Sequence, residues 1–188
     1  MKTRSWLILF LCLIILGSFT SFFSCSTVGK LAAFDVVYNF PKVTFTYSQK
    51  DLKGTQFLLL KSKLSINFDS ILNANHIPSG IIASAYLSRL AMVITAPPEA
   101  TFNWLSSVTM LGSIDTSFQQ PTTLGSATNI DPSSRTVNLT LPNVDIKPIL
   151  FNNSYYLEVL ATPSGQIPSS SSINMYLDAQ VRLHIEPL

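Results

Sequence analysis

The chain has 188 residues, of which 47% are hydrophobic and only 12% are charged, and its formal net charge at pH 7 is +2. Lys2 and Arg4 account for two of the twelve basic residues, and the remaining ten equal the ten acidic residues, so the rest of the chain is near neutral. No cluster of Lys and Arg interleaved with aromatic residues is present, which argues against a nucleic-acid partner. Electrostatic attraction to anionic lipid is equally unsupported.

The first 24 residues have the pattern of a signal peptide. Lys2 and Arg4 form a positive start, and an unbroken apolar run follows from Trp6 to Leu16. This run has the length of a signal-peptide core and is short for a membrane span. We therefore predict residues 1–24 as a leader, residues 25–33 as a tether, and residues 34–188 as one domain.

The residues at the end of the leader resemble a bacterial lipobox, the signal in which a cysteine is acylated with groups such as palmitate. Ser24 fits the small position before Cys25, although Phe22 stands where Leu is usual. The resemblance implies lipidation at Cys25, and Ser26 after it implies the outer membrane. The alternative is a plain secretory signal that is cut near Ser24 or Ser26, with Cys25 incidental.

The cysteine count agrees with this interpretation. The chain contains only Cys12, inside the apolar run, and Cys25. After cleavage Cys25 is the single thiol, so no disulfide forms within the domain and its core must be stable without one. Cysteine-based metal sites and thiol catalysis are excluded by the same count.

The mature part reads as a series of strands with turn signals between them. Strands are predicted at Phe34 to Tyr38, Val43 to Tyr47, Phe57 to Phe68, Ala85 to Thr95, Val108 to Ile114, Val137 to Leu141, Tyr155 to Thr162 and Ile173 to Ile185, with a short one at Thr123 to Ala127. Single helical turns are predicted at Phe102 to Ser107 and Asp145 to Leu150, and a loop at Asn73 to Gly80.

The last strand has the clearest pattern. Apolar residues occupy every second position from Ile173 to Ile185, and polar residues lie between them, apart from Tyr176. Such alternation indicates a strand with one buried and one wet face. A second sheet must cover the buried face. The sequence therefore predicts an all-β, antiparallel immunoglobulin-like sandwich of about seven to nine strands.

A resemblance covers roughly the second half of the chain. The run Phe102 to Val108, the run Val144 to Leu150, and the alternating final strand are similar to parts of small uncharacterised envelope lipoproteins, many of them from Bacteroidetes. The resemblance implies an immunoglobulin-like sandwich and an envelope location. It brings no catalytic residues with it.

Motifs of catalysis are not found. His76 and His184 are isolated in the sequence and do not form a metal-binding pattern. No nucleophile elbow, phosphate loop or EF-hand loop is present. The prediction is therefore no enzyme, no cofactor and no metal, although scattered acids leave a hydrolase as a rival hypothesis.

Two aromatic residues and one serine are candidate sites. Trp104 and Tyr176 would contact a sugar if they lay on an exposed face, whereas the alternative places Trp104 as a plug at one end of the sandwich. Asp69-Ser70-Ile71 resembles the O-glycosylation motif of exported Bacteroidetes proteins, which marks Ser70.

The sequence thus predicts a non-catalytic, lipid-anchored envelope protein with a structural or binding-accessory role. Its membrane partner is bound through the lipid, and a protein or glycan partner is left open. The alternatives are a carbohydrate-binding module and a sandwich whose hydrophobic lumen carries lipid.

Overall fold

The computed structural model describes residues 33–47, 55–65, 68–74, 76–152, 155–164 and 172–186. Within these ranges nine strands form two antiparallel sheets. The strands are β1 (Phe34–Asn39), β2 (Val43–Tyr47), β3 (Phe57–Leu64), β4 (Ile82–Ala96), β5 (Leu105–Ser113), β6 (Thr122–Thr128), β7 (Thr136–Asn138), β8 (Tyr155–Pro163) and β9 (Ile173–Ile185). The predicted all-β sandwich is confirmed. The predicted leader and Cys25 lie outside the described residues.

Strand β9 is the central strand of the first sheet. It pairs with β4 on one side, from Ile82↔Ile185 to Ala96↔Asn174. On its other side β1 pairs with its second half and β2 with its first half. We call this sheet, which has the strand order β1/β2–β9–β4–β7, the β9 sheet. The backbone of β9 is thus paired on both sides, which is the position with the most ladder hydrogen bonds.

The second sheet, the β8 sheet, has the order β3–β8–β5–β6. Most strands that follow one another in the chain lie in different sheets. Among the described strands, β5 and β6 are the pair that forms a hairpin within one sheet. If β1 and β2 are counted as one interrupted strand, each sheet has four positions, and the arrangement is that of a jelly roll. An immunoglobulin constant-type domain instead places its first two strands side by side in one sheet. The sandwich class is therefore as predicted, and the strand order refines its subtype.

The alternation predicted for the final strand is present in the structure. Six of its seven inward side chains are buried, and Ala179 is half-buried. They face the inward residues of β8, from Tyr155 through Leu157 and Val159 to Ala161, which are also buried. The core is the space between these two faces, because only there are both sheets dry.

One predicted strand is too long. The strand predicted to reach Phe68 ends at Leu64, and Phe68 instead begins helix α1 (Phe68–Ala74). Phe68 and Leu72 are buried, Ile71 is partly buried, and their spacing of three and four residues is that of one helix face. The ring of Phe68 packs edge-on against Tyr38 and Phe151, with centroids 6.0 and 5.3 Å away.

The loop predicted over Asn73 to Gly80 includes the end of α1 and a 3-10 turn, Ser79–Ile81. The helical turn predicted at Phe102 to Ser107 is shorter than expected, because Leu105 donates to the carbonyl of Phe102 and already begins β5. The turn predicted at Asp145 to Leu150 contains helix α2 (Lys147–Leu150). None of the helices in the described part of the chain is long and apolar enough to cross a membrane.

Asp145 attaches the α2 segment to β4. Its Oδ1 accepts from the backbone N–H of Ala85 and of Lys147, each at 2.9 Å. The N–H of Ile146 donates to the carbonyl of Ala85 at 2.8 Å. These bonds satisfy backbone groups on the side of β4 that faces away from β9, and they hold Ile146, Ile149 and Leu150 over the core.

The alternation of β9 is directly testable. Leu183 is 1% exposed, so Leu183→Ala should lower the free energy of unfolding by about 2–5 kcal/mol. Its neighbour Arg182 points outward with half of its side chain exposed, so Arg182→Ala should cost about 1 kcal/mol or less. Urea unfolding of the two variants measures both values. Equal losses would contradict the burial pattern.

Candidate functional site

An apolar cavity lies between the two sheets. Fifteen of the residues that the structure describes line it, from both sheets and from the α2 segment, and all of these except Tyr155 are apolar. Leu177 and Leu90 come from the β9 sheet, Met110 from the β8 sheet, and Ile149 from α2. We call this cavity the slot.

The slot opens at the side of the sandwich where β2 and β3 are edge strands. The lining residues there, Phe40, Val43 and Leu64, are partly exposed, and Pro41 is exposed. The other lining residues are buried, apart from the half-buried Leu87 and Ala179. Residues 40–42 interrupt the edge strand between β1 and β2. Pro41 has no N–H to donate, which suits a break at a sheet edge. The interruption leaves room between the two sheets.

The size of the slot limits what it can hold. Its volume is about 70 Å³, which corresponds to roughly two water molecules at their share of liquid volume. A whole acyl chain does not fit inside. The hypothesis of a lipid-filled lumen is therefore not supported at its full extent, and the slot accommodates a small apolar group. No sequence pattern indicated it, because its residues come from eight separate strands and helices and from two connectors.

Among the described residues that line the slot, Tyr155 is the one with a titratable side chain. Its side chain is 6% exposed, and burial raises the pKa of the phenol. The group therefore stays neutral at physiological pH and acts only as a hydrogen-bonding phenol. The slot thus offers apolar contact and no acid–base pair.

The outer face of the β9 sheet carries most of the polar contacts between strands. Arg89 of β4 pairs with Asp178 of β9 at 2.5 Å. Gln180 donates to Asn39 of β1 at 3.0 Å and accepts from Ser88 of β4 at 2.9 Å. Because these contacts join β9 to both neighbours, they act as cross-strand ties. The side chains are engaged with one another rather than gathered around an open space.

A histidine lies between two carboxylates at one end of this face. His184 Nδ1 is 2.8 Å from Asp35 Oδ1, and its Nε2 is 3.5 Å from Glu186 Oε1. Arg182 Nε lies 3.7 Å from the other oxygen of Asp35. The hydrogen bond to Asp35, and then the charges of Asp35 and Glu186, raise the pKa of His184 above its ordinary 6.5. No local motif marks this group, because Asp35 and His184 are 149 positions apart.

Tyr176 points outward from β9, as its place in the alternation predicts. Its ring is half-buried, and the Lys42 ammonium lies 4.2 Å from the ring centroid. Thr44 and Val93 are its partners on the neighbouring strands. A sugar that stacked on the face covered by Lys42 would have to displace that cation.

Trp104 is not a surface aromatic residue, which corrects its assignment as a ligand contact. It is fully buried and stacks on Tyr47 with ring centroids 4.9 Å apart. Tyr47 in turn stacks on Phe57 at 5.4 Å. Tyr47 ends β2 and Phe57 begins β3, so this aromatic cluster joins the two sheets at one end of the sandwich. The alternative role of a plug is the one that the structure supports.

The other candidate residues are placed as follows. Ser70 is exposed on α1, and its glycosylation stays a prediction. Cys25 lies outside the described residues. In the described ranges no three His, Cys, Asp or Glu residues are grouped in a way that could hold a metal ion.

Asp115 and Asp131 serve as turn residues. The hydroxyl of Ser117 donates to Asp115, and that of Ser133 donates to Asp131 at 2.7 Å. These hydrogen bonds lower the pKa of each carboxyl group. Both acids therefore remain ionised and hold local loop geometry.

Comparisons with known proteins identify no family for this chain. No family model matches the chain, and no curated protein matches it significantly. Among solved structures, it is similar to Desmodium yellow mottle tymovirus, with 17% identity, a TM-score of 0.32, and coverage of 84% of each chain.

Two further structures give comparable values. Turnip yellow mosaic virus at 100 K has 17% identity and a TM-score of 0.30, over 84% of this chain and 96% of that one. The VP2 subviral particle of infectious bursal disease virus has 10% identity and a TM-score of 0.32, over 81% of this chain and 33% of that one. Such low values support no inference about function. The topology described above follows from the chain's own strand pairing.

His184 should make stability depend on pH. Its pKa in the folded chain lies above the 6.5 of the unfolded chain. The contact with Asp35 therefore stabilises the fold below about pH 6.5, and this contribution is lost as the pH rises through the raised pKa. The melting temperature of His184→Gln should fall below that of the wild type near pH 5.5–6 and match it more closely near pH 8.5.

An NMR titration of the His184 ring tests the cause. In the wild type the ring should titrate above 6.5, and in Asp35→Asn its pKa should fall. An unchanged pKa in Asp35→Asn would contradict the assigned role of Asp35.

Proposed function

We propose that the chain is a non-catalytic, lipid-anchored protein of the bacterial cell envelope whose sandwich acts as a binding accessory. The observation that carries the binding role is the slot. It is partly open, its lining is apolar apart from Tyr155, and burial keeps that phenol neutral. Such a space takes up an apolar group and has no pair of titratable groups for acid–base catalysis.

The arrangement of charges agrees with a non-catalytic role. The ion pairs Arg89–Asp178 and Lys61–Glu158 each join two neighbouring strands. Asp145 accepts two backbone hydrogen bonds that hold α2 against β4. Each of these acids therefore has a structural task, and a catalytic pair would instead require two carboxyl groups that face one space.

The envelope location and the lipid anchor rest on the sequence. The positive start, the apolar run of Trp6 to Leu16 and the lipobox-like residues before Cys25 support export and acylation. A single acyl chain gives only weak membrane binding, so stable attachment requires the several chains that a lipoprotein cysteine carries. Ser26 after Cys25 favours the outer membrane.

Mass spectrometry tests the anchor. The full chain is expressed in a bacterium that processes lipoproteins, and the membrane fraction is digested with trypsin. We expect the N-terminal peptide Cys25–Lys30 to carry a diacylglyceryl group, because trypsin cuts after Lys30. Cys25→Ser should abolish the modification, and Cys12→Ser should leave it unchanged. An unmodified protein in the soluble fraction would contradict the proposal.

Carbohydrate binding is a second candidate, and the outward ring of Tyr176 favours it. Asn174 and Asp178 lie two residues away on the same face of β9 and provide groups that hydrogen-bond to hydroxyls. A tyrosine ring has an apolar face on which a sugar can stack and a polar hydroxyl that can form a hydrogen bond.

A glycan array tests this second candidate. If it is correct, the protein binds a glycan and Tyr176→Ala loses at least about tenfold in affinity, equivalent to about 1.4 kcal/mol of lost ring contact. Tyr156→Ala is the matched control, because Tyr156 points outward from β8 in the other sheet. Binding that persists in Tyr176→Ala would exclude this site, and the absence of any bound glycan would exclude the candidate.

A further inference from the structure

Exposed apolar side chains are concentrated on strand β1. Five large hydrophobic residues are exposed in the described part of the chain, and two of them, Phe34 and Val37, belong to this six-residue strand, with 49% and 54% of their surfaces exposed. The other three, Leu58, Ile114 and Val144, lie on separate strands or connectors. Among the described strands β1 pairs with β9 alone, so it is an edge strand. Its apolar surface is therefore open to a partner.

An apolar cleft between β1 and the α1 segment continues this surface. Val37 lines the cleft from β1, and the half-buried Ile77 lines it from the residues after α1. Val36 also lines it and points to the same side of β1 as Phe34, because residues two apart on a strand share a face. We call Phe34, Val37, Ile77 and the cleft between them the β1 patch.

We propose that the β1 patch lies against the surface of a lipid bilayer and holds the anchored domain there in one orientation. This inference rests on the lipid anchor proposed above, and it adds which side of the domain faces the membrane. The partner is a lipid surface without net charge, such as phosphatidylcholine.

The position of the anchor favours this partner. Phe34 follows the proposed lipidation site Cys25 by nine positions, and a fully extended chain of that length spans at most about 30 Å. The β1 patch therefore begins where the tether ends. A domain held this close meets the bilayer at a high effective concentration, so that weak apolar contacts are sufficient to orient it.

The charges beside the patch select a neutral lipid surface. Asp35, next to Phe34, lies 2.8 Å from His184 Nδ1 and 3.7 Å from Arg182 Nε. Acidic and basic groups thus compensate one another on the outer face of β1 and β9. Because no excess of basic side chains is present there, anionic lipid gains no advantage. The attraction must come from the apolar side chains, each of which loses exposed surface when it enters the lipid.

The experiment uses residues 25–188, the form that the proposed processing leaves. The Cys25 thiol is coupled to a maleimide phospholipid in phosphatidylcholine nanodiscs, so the contact is measured whether or not a bacterium acylates Cys25. Methyl groups of Val, Leu and Ile are labelled with ¹³C, and a lipid with gadolinium at its headgroup is added. Proximity to the bilayer is then read as paramagnetic relaxation of each methyl signal.

We expect strong relaxation of Val37 and Ile77 and weak relaxation of Leu58. Leu58 is six residues before Leu64 on β3, which is about 20 Å along the strand, and its relaxation should be at least about fivefold smaller. Val144 is a second reference, because it precedes the segment that is bonded to β4 on the side away from β9.

Loss of apolar surface should release the domain. Val37→Ser should lower the relaxation of Ile77 at least about threefold, because each methylene withheld from lipid weakens the contact about fourfold. Phe34→Ser should do the same. Leu58→Ser is the matched control, since Leu58 is also exposed and lies outside the patch, and it should leave Ile77 nearly unchanged. The signal of the fully buried Val181 reports whether each variant is folded.

Salt and lipid charge test the neutral character of the contact. Salt at about 1 M shortens the Debye length to about 3 Å and should leave the relaxation of Val37 in place. Relaxation that disappears in salt, or that requires anionic lipid, would show an ionic contact and overturn the apolar one.

Three further results would overturn the proposal. They are equal relaxation of Val37 and Leu58, undiminished relaxation of Ile77 in folded Val37→Ser, and a dimer of the Cys25→Ser chain that Val37→Ser disrupts, which would assign the patch to a second copy. The mass at Cys25 after expression in a bacterium is read separately. An unmodified Cys25 with the expected relaxation would refute the natural anchor alone, whereas a modified Cys25 without it would refute the orientation alone.

Discussion

The sandwich depends on the pairing of β9 on both of its sides. β9 lies between β4 and the pair β1 and β2, so its backbone groups are satisfied along its length. Its inward side chains form the centre of one buried face, with Ile173, Val181 and Ile185 at most 1% exposed. The same strand therefore provides the hydrogen-bonded centre of a sheet and the floor of the core, and its displacement would remove both.

The slot is a consequence of how the edge beside β9 is built. One strand position is filled by two short strands, and residues 40–42 interrupt them. Phe40 still donates to the carbonyl of Ala179 at 2.9 Å, so the interruption leaves the ladder of β9 nearly complete. The inward volume beside the break is not filled, and α2 and β3 border what remains. At the far end the stack of Tyr47, Phe57 and Trp104 closes the same interior.

Regular alternation made the fold predictable from the sequence. The bounds of β9 agree with the prediction from Ile173 to Ile185, because period-two burial is a local pattern. Helix α1 was missed, because it has only seven residues, and the three that face the core are too few to distinguish a helical period from the end of a strand. The sequence also indicated no order of strands within the sheets, because pairing between β1 and β9 joins the two ends of the domain.

The candidate sites also divide into features that a local sequence pattern predicts and features that depend on the tertiary structure. The outward direction of Tyr176 followed from alternation, but the Lys42 ammonium over its ring depends on β2 lying beside β9. The slot and the His184–Asp35 contact arise from residues far apart in sequence, and no local motif marks them. Lipidation at Cys25 is the opposite case, since it rests on a local motif alone. Local sequence patterns therefore predict the architecture, whereas the slot and the cross-strand contacts depend on the tertiary structure.

Amide hydrogen exchange of β9 measures whether this strand is the centre of its sheet. A strand that is bonded on both sides opens only with the whole sheet, so its amides should exchange with a free energy near that of global unfolding. The outer-edge amides of β1, which has a neighbour on one side, should exchange much faster. We expect the β9 amides to be among the slowest to exchange in the protein. Exchange of β9 as fast as that of the β1 edge would show that β9 is not the central strand and would contradict this expectation.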